Sequence, residues 1–478
     1  MPPTPERKLF LGVRVRRLRR ELGLTQSRMA EDLGVSASYL NLIERNQRPL
    51  TAQILLRLAQ TYDIDIRSLS SDDEAADARD LAEVLSDPLF RDLAVPRHEV
   101  AEVAESSPGI ADAMVRLYRA WADRRRLADL GALDRSEDGH GDEPSFTPSD
   151  WVRDYIQSQR NFFPELDEKG EALAVELRPE PQAFADAARA RLAERHSVQV
   201  RVAPVDVLPD SIRRYDHHRR RLLLSERLRG PGRAFAIAYQ LGLAEHDREL
   251  AAMVERAAPP NVATARLLKV SLANYLAAAM MLPYEAFRSA CDGAGHDIEL
   301  VATRFGASFE QVCHRLTTLS RPTARGMPFF MLRVDSAGNI SKRFAGGAFP
   351  FSRFGGTCPR WKIHAAFRAP GRIVTQIIET PDGARYFTLA RTVWRVASSH
   401  ADEDSELAVG LGCELKYAPR LIYARGIDLA DPQVTQIGPA CRVCERPACP
   451  QRAAEPAGRT LTIDDFSKSI SPYPFAAV

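Results

Sequence analysis

Residues 24–49 constrain this chain more than any other stretch. Thr25 is a good N-cap for a helix over residues 26–33. Gly34 permits a tight turn, and Ser36 caps a second helix over residues 37–45. A helix before them draws its apolar stripe from Leu9, Val13, Leu18 and Leu22. Met29, Ala30, Leu33, Val35, Leu40 and Ile43 fall where the two later helices must pack. Helix, glycine turn and helix at this spacing make a helix-turn-helix. Its second helix leaves Ser36, Ser38, Tyr39 and Asn41 on or near the outer face. Side chains there meet base edges when such a helix lies in a major groove. Gln26 opens the preceding helix, placed for a phosphate or a base. Arg14, Arg17, Arg45 and Arg48 can neutralise phosphates, whereas Glu44 reads as structural.

Charge agrees with this placement. The 478 residues carry a formal charge of only +2. Residues 1–60, however, hold eleven bases against five acids, and residues 61–105 hold four bases against thirteen acids. A solvated basic face would explain the charge alone, but not the caps and the spacing. Double-stranded operator DNA is the expected partner. A homodimer or tetramer is also expected, because paired reading heads must reach half-sites about one helical turn apart.

At roughly 150 residues per domain the length suggests about three domains. A stretch rich in Gly, Ser, Pro and acids, residues 131–150, reads as a linker. The expected organisation is a head over 1–70, a helical connector and linker over 71–150, a middle domain over 151–321 and a C-terminal domain over 322–478. Met114, Leu117, Tyr118 and Trp121 mark a helix in the connector. Residues 181–196, 233–246 and 265–282 read as helices, and 197–208 and 221–224 as strands. Past Pro322 the texture changes to hairpins, with turns at Asp335–Asn339 and Pro381–Gly383. No run of about 18 apolar residues and no secretory leader is visible, so no membrane partner and a cytoplasmic location are expected.

Segment 24–49 resembles the lambda-repressor/Cro-like helix-turn-helix family. Residues 233–243 and 273–283 resemble the two core helices of a zincin-like peptidase family. In that family the first helix carries His-Glu-x-x-His, two zinc ligands one turn apart and a general base. Here those positions hold Tyr239, Gln240 and Leu243, so a hydrolytic enzyme is not expected. His246, His217 and His218 have no ligand partner at suitable spacing.

Five of the seven cysteines lie after residue 350. Cys441, Cys444 and Cys449 form a C-x2-C-x4-C array, with Cys413 and Cys358 as candidates for a further corner. Four thiolates suit a [4Fe–4S] cluster or structural zinc. Arg442 and Arg446 flank the array and would offset its negative charge. If the cluster is itself the signal, the chain is a redox sensor.

Residues 354–367, 410–414 and 441–452 resemble the short-chain fatty acyl transcriptional regulator family, and the domain order agrees over nearly the whole chain. The resemblance implies an all-α head, an α+β degenerate zincin-like middle domain and an α+β C-terminal domain. It also implies control of propionate-, acetate- or glyoxylate-linked genes, a short-chain acyl-coenzyme A effector and an iron–sulfur cluster. For such a ligand the sequence offers Arg353, Arg360 and Lys362 for phosphates, and Phe351 and Trp361 for stacking on adenine. Each could equally be hairpin core or solvated charge.

Overall fold

The computed structural model describes residues 15–16, 18–19, 24–44, 47–48, 50–62, 73–93, 95–131, 147–177, 183–347, 349, 357–394, 406–439, 441–456 and 459–475. The chain divides into two compact units, Met1–Pro144 and Ser145–Val478. Expectations that fall on Leu9, Val13, Arg14, Arg17, Leu22, Arg45, Phe351 and Arg353 lie outside the described residues.

In the first unit α1 (Gln26–Leu33) and α2 (Ala37–Glu44) flank the turn, followed by α3 (Ala52–Tyr62). Gly34 adopts φ 64°, the left-handed conformation that lets its N–H close the end of α1. Met29, Leu33, Leu40, Ile43 and Leu58 are fully buried in one small core. The connector is a separate helical cluster of α4 (Asp73–Leu85), α5 (Arg97–Ser106) and α6 (Pro108–Gly131), centred on Leu81, Val84, Val100 and Val115.

The second unit begins earlier than the linker reading implied. Thr147 caps α7 (Pro148–Ser158), its hydroxyl accepting the Asp150 N–H at 3.2 Å, so the stretch ends in helix. Then come α8 (Pro164–Leu177), α9 (Phe184–His196), β1 (Gln199–Ala203), β2 (Arg213–Asp216) and β3 (Arg221–Ser225). The sheet order is β1-β3-β2, with β1 parallel to β3 and β2 antiparallel to it. The long helices α10 (Gly230–Ala257) and α11 (Val262–Met281) form the frame, followed by α12 (Tyr284–Gly293), α13 (Ile298–Phe305) and α14 (Phe309–Leu316). Helix α10 kinks at His246, where φ is −129°.

Two contacts lock this frame. Gly170 on α8 lies against α11 so closely that a Cβ there would stand 2.6 Å from the Ala279 Cβ and 2.9 Å from its carbonyl carbon. Asp167 and Arg315, both almost wholly buried, form an ion pair at 2.5 Å. The Tyr275 hydroxyl donates to Asp167 at 2.8 Å, and Arg315 Nε donates to the Leu282 carbonyl at 2.9 Å. The network ties α8, α11 and α14 together.

The C-terminal part is a six-stranded sheet of β4 (Phe330–Val334), β5 (Ile340–Ala345), β6 (Val374–Glu379), β7 (Arg385–Trp394), β8 (Glu406–Glu414) and β9 (Val434–Gln436). Its order is β5-β4-β8-β7-β6-β9, antiparallel except where β6 meets β9. Strand alternation divides the side chains between two cores. Met331, Phe387, Val409, Leu411 and Cys413 join the core that also contains Ile298, Phe309 and Leu316. Phe330, Leu332, Cys358, Trp361 and Tyr386 fill the opposite one. Among the described residues no single helix is long and apolar enough to cross a membrane.

Candidate nucleic-acid interface and cysteine centre

The head presents a short polar network at its reading surface. Glu44, only 4% exposed, accepts from Arg19 Nε at 2.6 Å and Nη2 at 3.1 Å. Gln26 Nε2 donates to Glu44 Oε2 at 2.8 Å and to Asn41 Oδ1 at 3.3 Å. The first helical turn of α1 and the middle of α2 are thus held at a set distance. Ser36 is spent on capping, its Oγ accepting the Tyr39 N–H at 3.1 Å. Tyr39 packs partly against the head core. Ser38 and Arg48 are exposed. Arg19 is the participant that sequence reasoning missed. Its partner lies 25 residues away, and only the position of Glu44 one turn past buried Leu40 hinted that this carboxylate needs a cation.

Two predictions arise here. Gln26→Ala, Ser38→Ala and Asn41→Ala are each expected to weaken operator binding by about 1–3 kcal/mol, more than binding to random duplex. Arg48→Ala should weaken both equally and lower the salt slope by about one. Titrations on both duplexes over a salt series decide between these patterns.

Burial pushes the Glu44 carboxyl up, but its bonds from Arg19 and Gln26 and the nearby arginines outweigh that and hold it below the ordinary Glu value. A depressed carboxylate stabilises the fold above its unfolded pKa. That contribution is lost as pH falls through the folded value. Amide exchange in α1 and α2 should therefore accelerate in acid below the ordinary Glu range. Glu44→Gln, which cannot titrate, should flatten that dependence.

Of the five cysteines after residue 350, only Cys413, on β8, lies on a strand. Cys358 lies beside Cys441 and Cys444: burial pushes its thiol up and those two neighbours add to this, while the N–H groups of Gly438 and Arg360 pull it down. Cys413 belongs to the opposite face of the sheet, so Cys358 is the candidate that joins the array. Burial pushes the Cys413 thiol up to about 12. Gly438 passes so near that a Cβ there would stand 2.6 Å from the Cys444 sulfur. Arg452, 3% exposed, donates to the carbonyls of Cys441 and Cys444 at 2.7 Å each and of Arg446 at 2.9 Å. Arg446 donates to the carbonyls of Ile437, Glu379 and Thr380, at 3.2, 3.0 and 3.1 Å. Its bonds pin the loop to the end of β6 rather than facing the sulfurs as expected. Among the described residues no three His, Cys, Asp or Glu side chains stand in metal-holding geometry. What the described residues do bring together is Cys358 with Cys441 and Cys444, beside the N–H groups of Gly438 and Arg360, soft donors of the type a thiolate-bound centre uses.

The expected ligand residues fare differently. Trp361 is 5% exposed, its indole N–H donates to Thr388 Oγ1 at 3.4 Å, and it packs in a cluster with Phe330, Phe349 and Tyr386. It is core, not a free stacking surface. Lys362 is exposed, with Nζ 3.4 Å from the Thr375 carbonyl, and the Arg360 carbonyl accepts from Gln376 at 3.1 Å. A separate open cleft of about 570 Å³ lies among Gly230, Pro231, Ala234, Ala302, Phe309 and Arg391. The Arg391 guanidinium stands over the Phe309 ring at 5.2 Å and holds Glu299 at 2.7 Å.

On the peptidase-like helix, Tyr239 and Gln240 are each 6% exposed. The Arg213 guanidinium covers the Tyr239 ring at 3.6 Å. His246 pairs with Glu249 at 3.4 Å, at the kink of α10. The place of a metallopeptidase centre is filled by an aromatic–cation stack.

Comparison with known proteins follows the same three parts. A helix-turn-helix model matches residues 15–69, an IrrE N-terminal-like domain model residues 193–317, and a short-chain fatty acyl coenzyme A regulator C-terminal model residues 318–473. The chain is 39% identical to the HTH-type transcriptional regulator RamB of Mycobacterium tuberculosis, over 98% of both chains. It is 38% identical to the propionyl-CoA carboxylase regulator of Cereibacter sphaeroides, again over 98% of both. It is 36% identical to the HTH-type transcriptional regulator PrpR of M. tuberculosis, over 98% of this chain and 96% of that one. A solved M. tuberculosis transcriptional regulator, 37% identical, superposes with a TM-score of 0.65 over 69% of this chain and 99% of that one.

Proposed function

Because the chain belongs to the short-chain fatty acyl coenzyme A regulator family of DNA-binding transcriptional regulators, we propose that it reads its operator as an oligomer and answers to a short-chain acyl-coenzyme A. The genes controlled are those of propionate-, acetate- or glyoxylate-type metabolism, and the protein works in the cytoplasm. The observation that carries DNA reading is the Arg19–Glu44–Gln26–Asn41 network, which fixes α2 while leaving Ser38 exposed. A ligand shifts such a protein only through different affinities for its two states. The cleft under Arg391 supports the effector reading. Its volume of about 570 Å³ is within the range of cofactor sites, and its small apolar side chains suit an acyl chain, whereas the Arg391 guanidinium is already held by Glu299, which lines the same cleft. Arg360 and Lys362 remain surface cations near the sheet edge.

Cys358, Cys441, Cys444 and Cys449 would hold a [4Fe–4S] cluster, with zinc as the alternative. A cluster would supply a one-electron couple and a rigid anchor for the loop, and zinc only the anchor. Arg452 and Arg446 shape that loop through its carbonyls, and the Gly438 and Arg360 N–H groups stabilise thiolate charge on Cys358. No enzymatic role is proposed, since Tyr239, Gln240 and Leu243 offer neither ligand nor general base.

The test is operator binding with and without propionyl- and acetyl-coenzyme A. A several-fold change in affinity is expected. Identical isotherms across saturating effector would sink the effector reading and leave DNA binding standing.

A further inference from the structure

The nine residues 213–221 contain five arginines, two histidines and a single acid, Asp216. They form the hairpin of β2 and β3. Arg214, His217, His218, Arg219 and Arg220 are exposed. The turn is built, not loose. Asp216 Oδ1 accepts the Arg219 N–H at 2.9 Å, and the Arg220 carbonyl accepts from Gln199 N at 2.9 Å. Arg220 itself sits at φ 47°. One nitrogen of Arg220 is tied to the His196 carbonyl at 3.0 Å, and one of Arg214 to the Val207 carbonyl at 2.9 Å. Each guanidinium is thereby aimed, with its remaining N–H groups open.

The sheet register extends the array. Arg201, Leu223 and Arg214 share one rung, on the face opposite fully buried Leu222 and Leu224. Among the described residues no carboxylate lies within ion-pair distance of Arg201, Arg214, Arg219, Arg220 or Arg221. Other arginines in this domain do find acids, among them Arg191 with Glu245 at 2.6 Å, Arg256 with Glu165 at 2.7 Å and Arg321 with Glu171 at 2.5 Å. A surface selected only for solubility mixes its signs. This one is strongly basic, with Asp216 as its one acid used to fold the turn, a complement to a phosphate array.

We propose that the β2–β3 hairpin is a second DNA contact, which grips the phosphate backbone without regard to sequence. Duplex DNA is the chosen occupant because the chain already binds it. The inference rests on that DNA-binding reading. The phosphates of a nucleotide effector are the competing source of the same chemistry.

The test uses the full chain and a triple variant, Arg214→Ala, Arg219→Ala and Arg220→Ala. Affinity is measured for operator and for random duplex over a salt series. Three lost phosphate contacts should reduce the slope of log affinity against log salt by about 2.7 on both duplexes. At 0.1 M salt the loss should be on the order of 100-fold on both. The same three positions changed to Lys should keep most of the slope, separating charge from any effect on folding. An unchanged slope in the alanine variant overturns the inference alone. A parent chain with no duplex affinity overturns it together with the DNA reading of the head. Coenzyme A binding is measured in parallel. Its loss with the DNA slope intact would also overturn the proposal and assign the hairpin to the effector.

Discussion

Arg315→Met is expected to destabilise the larger unit by about 3–5 kcal/mol, read as a fall in its denaturant midpoint. The magnitude follows from what would be left behind. Asp167 is 0% exposed, and its carboxylate would lose the guanidinium at 2.5 Å and keep only the Tyr275 hydroxyl. An uncompensated buried charge costs far more than the pair contributed. Removing both charges together, Asp167→Leu with Arg315→Met, should be milder, because no buried charge is left uncompensated and only neutral partners, among them the Tyr275 hydroxyl and the Leu282 carbonyl, lose a hydrogen bond. A double variant as unstable as the single one would mean that shape, not charge, holds α8 against α14.

Loss of the metal that the proposed cysteine centre would hold is the second large effect, expected in Cys444→Ser and in Gly438→Ala. The first removes a donor from the middle of the array. The second leaves every donor in place but adds a Cβ 2.6 Å from the Cys444 sulfur and 2.7 Å from its Cβ, so the thiol must move. Cys413→Ser is the control. Its side chain lies on the other face of the sheet and should leave metal content intact. Iron, sulfide and zinc are to be measured after anaerobic purification of all three variants. Full metal in Cys444→Ser would place the centre elsewhere, and loss in Cys413→Ser would restore that residue as a ligand.

The head was legible because its signals are local. Thr25, Gly34 and Ser36 each act within four residues, and α1 begins and ends where they indicate. The hairpins after Pro322 were legible for the same reason: the Asp335 carboxylate folds its own turn, accepting the Asn339 N–H at 2.8 Å. Strand β2 was not, since four mostly charged residues show no alternation and acquire strand geometry only by pairing with Leu222 and Leu224. Strand β8 was hidden by Gly410 and Gly412, whose lack of side chains makes room for Ile363 and Phe330. The choice between Cys358 and Cys413 depends on which face of a sheet each residue joins. That parity is set by β8 and its neighbours, not by the spacing of cysteines. Trp361 misled in the opposite sense, because an aromatic flanked by Arg and Lys looks the same whether it waits for a ligand or fills a core.

The border between the IrrE-like and C-terminal matches falls at residues 317 and 318, yet the apolar core runs straight through it. Phe309, Val312 and Leu316 lie in one cluster with Met331, Val409 and Leu411. Ile422 N–H donates to the Gly295 carbonyl at 2.8 Å, and Ile298 N–H to the Tyr423 hydroxyl at 2.9 Å. A chimera spliced between relatives at 318 would therefore inherit two mismatched halves of one interior. One spliced near residue 145 would exchange a whole interior at once. The head can be exchanged as a unit, whereas the IrrE-like and C-terminal parts share one interior and must be exchanged together.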